Sequence, residues 1–257
     1  MRVDDLTPAE LYRLQAIIQR IHDDYLAWTS PFEREQLPEK AALEGIPRGE
    51  PRARHLTFSL LLSYDTDSRS LWETTRRLWH DYPWLFEPRA LVVDRNRTAV
   101  TRIFERNGIR YWRRDAAAWY LLASRLVESY RGSVLSLVAS VECDALRLLR
   151  RVRSEGFPAL DGEEIGPHWC RLLHEDVVRL YRIDRILFPV DVSLVRVSRA
   201  LVGSFESLET VRVFWDEFCS LSGFDPVLVD RSLSLVGTHW EEWGREYVDN
   251  VCSAVSW

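Results

Sequence analysis

Nowhere in this chain do apolar and polar residues alternate for long enough to make a half-buried strand. Leu91-Val92-Val93 comes nearest, and three residues are too few. Apolar side chains recur instead at spacings of three and four, between residues that start and stop helices. Thr7-Pro8-Ala9-Glu10 is a capping box with proline at the first helical position. Leu11, Leu14, Ile17, Ile18, Ile21 and Tyr25 follow on one face, which predicts a helix over 8–28. No repeat of 20 to 50 residues breaks the pattern. The fold class that follows is all-α.

Residues 29–55 hold Pro31, Pro38, Pro47, Pro51, Gly45 and Gly49, and read as an irregular connection ending in a boundary. A buried helix is predicted over 56–63, interrupted at Tyr64 to Thr66. Asp67 caps the next, with Leu71, Trp72, Leu78 and Trp79 facing inward, until Pro83 and Pro88 break it. Asn96 begins another helix, closed by Gly108, and Asp115 opens a further one carrying Trp119, Leu122 and Leu126. Helical pattern continues over 133–140, 144–154, 164–178, 191–203, 208–221 and 226–236. Asp225-Pro226 is another cap followed by a first-turn proline.

The stretch Phe188 to Leu201 concentrates the most chemistry. Pro189 ends what precedes it, and Asp191 sits where an N-cap belongs. An amphipathic helix follows, with Val192, Val195, Ser198 and Arg199 on successive turns and Gly203 as its stop. A carboxylate at the positive end of a helix, followed by Arg196 and Arg199, suits cationic chemistry or a nearby phosphate. The plainer reading is that Asp191 is a cap and nothing more.

Composition excludes several classes. No apolar run approaches 18 residues, so no membrane span is expected, and the first residues lack the apolar core of a secretory signal. A cytoplasmic location is the default expectation. Cys143, Cys170, Cys219 and Cys252 are far apart and form no C-x-x-C pair, so zinc-finger spacing is missing. Net charge is −5, yet eight arginines fall between Arg89 and Arg114 against Asp94 and Glu105. Such a cluster is either a solvated face or a track for phosphates. Of 34 basic side chains only Lys40 is a lysine. Arginine does not deprotonate to form a Schiff base, so amine nucleophile chemistry needs Lys40 itself.

The run from Phe188 to Leu201 resembles the catalytic-aspartate segment of the helix-hairpin-helix DNA glycosylases, the endonuclease III and adenine glycosylase superfamily. Phe157-Pro158-Ala159-Leu160-Asp161-Gly162-Glu163-Glu164-Ile165-Gly166-Pro167-His168-Trp169 looks like an altered form of that family's hairpin and the start of its second helix. Leu56 to Asp67 is similar to the first barrel helix and the turn that enters DNA, and Phe224 to Leu233 to the helix before the C-terminal cluster. The resemblance spans residues 56 to 237 in order.

It implies two helical subdomains with a cleft between them. One is a six-helix barrel over 56–190. The other is a cluster made from 191–257 and the N-terminal 1–55. Many relatives carry an iron–sulfur cluster on closely spaced C-terminal cysteines; only Cys252 stands there, so no cluster or other cofactor or metal is expected. The family's glycine-rich hairpin turn, which presents backbone N–H groups to a phosphate, is replaced by a turn with one glycine, Gly162, and acidic neighbours. The position of the family's lysine falls on Glu164 or on His168, depending on the glycine used for alignment. The resemblance therefore implies a monomeric, monofunctional DNA N-glycosylase that flips a damaged or hypermodified base out of duplex DNA and leaves an abasic site. Hypermodified phage DNA, in antiphage defence, is one such substrate. Asp191 would stabilise the oxocarbenium-like sugar or activate water, assisted by Glu164 or His168. Tyr64, Asp65 and Trp169 would line the base pocket or enter the DNA, and Gly162, Arg196 and Arg199 would meet its backbone. Two alternatives remain: an N-glycosidic hydrolase of a free modified nucleoside or nucleotide, and a helical nucleic-acid-binding module without catalysis.

Overall fold

The computed structural model describes residues 2–34, 37–93 and 97–255. Helices make up 72% of it, and no strand occurs among the described residues. The α-helices are α1 (Pro8–Leu26), α2 (Pro38–Ala42), α3 (Glu50–Ser59), α4 (Ser68–Asp81), α5 (Pro88–Val93), α6 (Arg97–Arg106), α7 (Trp112–Tyr130), α8 (Val134–Ala139), α9 (Ala145–Ser154), α10 (Ile165–Asp176), α11 (Val192–Val202), α12 (Leu208–Ser222), α13 (Pro226–Thr238) and α14 (Arg245–Ala254). No helix among the described residues is long and apolar enough to cross a membrane.

The chain divides into two compact units. Unit 1 takes the residues up to Leu37 and from Leu187 on; unit 2 is Pro38–Ile186. The expected boundaries were 55/56 and 190/191. The first lies earlier because the segment read as irregular holds α2 and the start of α3. Pro51 does not break α3, since it sits in the first turn, where no backbone N–H is required. Glu50 anchors that start: its carboxylate accepts from the N–H groups of Val134 and Leu135 at 2.8 and 2.9 Å and pairs with Arg54.

Unit 2 is built on aromatic packing. The Trp119 ring meets Phe58, Phe86 and Phe104 at centroid distances of 4.9, 5.3 and 5.1 Å, and its indole N–H donates to the Leu85 carbonyl at 2.7 Å. Such edge-on and tilted contacts add to plain area burial. His55 is wholly buried beside them, stacked on Phe86 at 5.3 Å and edge-on to Trp79. Asp115, expected to open its helix, instead lies in the first turn of α7, which starts at Trp112. Asn96, expected to begin a helix, is outside the described residues.

In unit 1 the apolar face of α1 (Ile17, Ile18, Ile21) shares a core with Phe214, Trp215 and Phe218 of α12 and with Leu233, Leu235 and Val236 of α13. Trp215 donates its indole N–H to Ser198 Oγ at 2.8 Å, and Ser198 in turn donates to the Leu194 carbonyl, so two buried polar groups of α11 are satisfied. A π-helical turn over Trp240–Gly244 leads from α13 towards α14. The sequence pattern, read as helical only as far as 236, named neither of these last two elements.

Candidate functional site

Asp191 occupies the N-cap of α11 with extended backbone, and its Oδ1 accepts from the Leu194 N–H at 2.7 Å. The residue is exposed although the helix behind it buries Leu194, Val195 and Val197. A carboxylate is thus held in one orientation at the positive end of an eleven-residue helix. Arg196 and Arg199 lie on the exposed side of the same helix.

Glu164 and His168 belong to unit 2. Glu164 is the exposed N-cap of α10, makes no side-chain capping bond, and accepts from the His168 N–H through its carbonyl at 3.3 Å. The two side chains therefore stand one helical turn apart. Trp169, expected to line a base pocket, is instead fully buried in unit 2, with its indole N–H on Thr57 Oγ1 at 2.9 Å. A ring with no exposed face has none to offer a stacking base.

The hairpin turn also differs from expectation. Its left-handed residue is Ala159 (φ 63°), not Gly162. The glycine that packing demands is Gly166: a Cβ there would lie 3.0 Å from Leu149 Cδ2 and nearer still to the Leu160 carbonyl. Asp161, Glu163 and Glu164 are all exposed around this turn, which opposes an anion.

Tyr64 and Asp65 follow the helical run that ends at Leu62. Tyr64 is 59% exposed, and Arg114 lies over its ring at 4.4 Å and over that of Tyr111 at 4.6 Å. The two tyrosines meet edge to face at 5.5 Å. Asp65, left-handed at φ 51°, is gripped by Arg110 at 2.5 Å and accepts from the Tyr111 hydroxyl at 3.2 Å. Next to this array, between the start of α4 and the start of α7, is a hollow of about 350 Å³, lined among others by Leu71, Thr74, Ile109, Tyr111 and Asp115. Asp115 is 3% exposed, and burial holds its carboxyl above the ordinary range although Arg114 lies against it.

Sequence reasoning missed Asp115, Arg114 and Tyr111. A signal was present: Arg110-Tyr111-Trp112-Arg113-Arg114 interleaves cations with aromatic rings, and Arg113 lies over the Trp112 ring at 4.4 Å. Counting arginines alone hid the rings between them.

Lys40, the sole lysine, donates to both carboxylate oxygens of Asp176 at 2.7 Å and pairs with Glu175 at 2.9 Å, all within unit 2. The four cysteines are free thiols; Cys170 and Cys219 are buried, and burial pushes the Cys170 thiol far up. The chain matches no protein-family model, and no curated protein is significantly similar to it.

Proposed function

We propose that this chain is a monofunctional N-glycosylase that excises a base extruded from duplex DNA, with Asp191 as the group that meets the sugar. The observation that carries the reading is the exposed Asp191 carboxylate, fixed by the Leu194 N–H at the start of α11. Breaking a C1′–N bond develops positive charge on the deoxyribose. A preoriented carboxylate stabilises that charge or takes a proton from the attacking water. Glu164 and His168, one turn apart, would protonate the leaving base or order water. The tyrosine pair at Tyr64 and Tyr111, with Tyr64 largely exposed, offers ring faces to bases. Lys40 is engaged by two carboxylates, which supports hydrolysis without a Schiff base. The substrate is a damaged or hypermodified base.

Wild-type protein should release a free base from modified phage DNA or from an oligonucleotide of a modified-base panel, leaving alkali-labile sites. Asp191→Asn should release none. Equal release by the variant would remove Asp191 from the chemistry. The acidic hairpin turn favours a second reading, hydrolysis of a free modified nucleoside. Binding to duplex that is insensitive to added salt would select it.

A further inference from the structure

We propose that the hollow between the start of α4 and the start of α7 binds a planar, amino-bearing heterocycle of the guanine type through the Asp115 carboxylate. Its volume, about 350 Å³, lies within the range of small-molecule sites, about 300–1,000 Å³. Leu71 and Ile109 give it apolar walls and Tyr111 an aromatic one.

The polar side is what selects the ligand. Both Arg114 nitrogens that approach Asp115 go to the same oxygen, Oδ1, at 2.9 and 2.8 Å. Oδ2 makes no hydrogen bond among the described residues, although the side chain is only 4% exposed. Oδ2 is not sealed in the protein interior, so a donor seated in the hollow can reach it, and a carboxylate only accepts. The Thr74 hydroxyl shares the lining and makes no hydrogen bond among the described residues either. A ligand edge bearing a ring N–H beside an amino group supplies the missing donors, and its flat faces suit the leucine, isoleucine and tyrosine walls. Burial that raises the Asp115 carboxyl agrees with a carboxylate short of solvation.

The same edge exists in free guanosine and in a guanine reached within a DNA strand, so the test has two arms. The full chain is titrated calorimetrically with guanosine and inosine, which differ by the amino group. It is also titrated with single-stranded oligonucleotides carrying guanine or hypoxanthine at one position. A preference for guanine of roughly tenfold or more in either arm, lost in Asp115→Asn, is expected. The arm that shows it names the source. Ile109→Trp, which fills the hollow from its half-buried edge, should abolish the preference with the helical circular dichroism unchanged; it decides the matter if Asp115→Asn does not fold. No preference in either arm, or one that survives both variants, overturns the proposal. The inference does not rest on Asp191: loss of base release leaves it standing, and its own failure leaves the glycosylase reading untouched.

Discussion

Gly237 of α13 packs directly on the backbone of Ser193 in α11. A Cβ at position 237 would lie 2.6 Å from the Ser193 carbonyl carbon and 2.9 Å from its Cα, and closer still to its oxygen. Ser193 is two residues beyond Asp191, in the turn that Asp191 caps. The position of the proposed catalytic carboxylate is therefore set by a contact that only glycine permits.

Gly237→Ala must part the two helices. Overpacking of this kind costs about 1–3 kcal/mol, read as a lower midpoint in urea denaturation. Displacing Asp191 by about an ångström should also slow base release, on the order of 10²-fold under single-turnover conditions. If Gly237 acts through Asp191, adding Gly237→Ala to Asp191→Asn produces no further loss of rate. Additive losses would show that the glycine serves stability alone.

Asp191 caps α11 and is proposed to act on the sugar, and substitution separates the two roles. Asn caps helices about as well as Asp, so Asp191→Asn should leave stability within about 0.5 kcal/mol, whereas Asp191→Ala should cost about 1 kcal/mol. Base release should vanish in both. A variant whose activity followed its denaturation midpoint would make Asp191 a cap only.

Caps were legible because their chemistry is local. Thr7, Asp67, Asp191 and Asp225 each accept from an N–H two or three residues on, as their sequence contexts predict. The start of α3 was not legible, because what holds Glu50 there is a pair of N–H groups 84 and 85 residues away. Trp169 fits an apolar helix face whether it packs or stacks, and only the Thr57 hydroxyl opposite decides between them. Asp115 reads as an ordinary helix-start acid until Leu71 and Ile109 are seen to share its hollow.

Lys40 tests whether the proposed glycosylase is monofunctional. Borohydride should trap no covalent adduct between the wild-type chain and substrate DNA, since no other lysine exists to form one. Lys40→Met removes the cation shared by Asp176 and Glu175 and should cost about 2 kcal/mol, with base release by the folded fraction unchanged. An adduct that disappears in Lys40→Met would make Lys40 a nucleophile.

His55 gives unit 2 an acid-sensitive core. Burial among Phe86, Trp79 and Trp72 lowers its pKa from 6.5 to about 4, and neither ring nitrogen has a well-formed hydrogen bond. Between those values the unfolded chain binds a proton that the folded chain does not, so stability rises with pH across this window. The full contribution is present above about pH 6.5 and drains away as pH falls towards 4, an effect on the order of 3 kcal/mol. His55→Phe keeps an aromatic ring in the same box and has nothing to titrate. Urea denaturation at pH 7 and pH 4.5 should show the wild type losing more stability than the variant, by about 2 to 3 kcal/mol. Equal losses would mean that the imidazole reaches solvent before the unit unfolds, and the acid sensitivity would then belong to other groups.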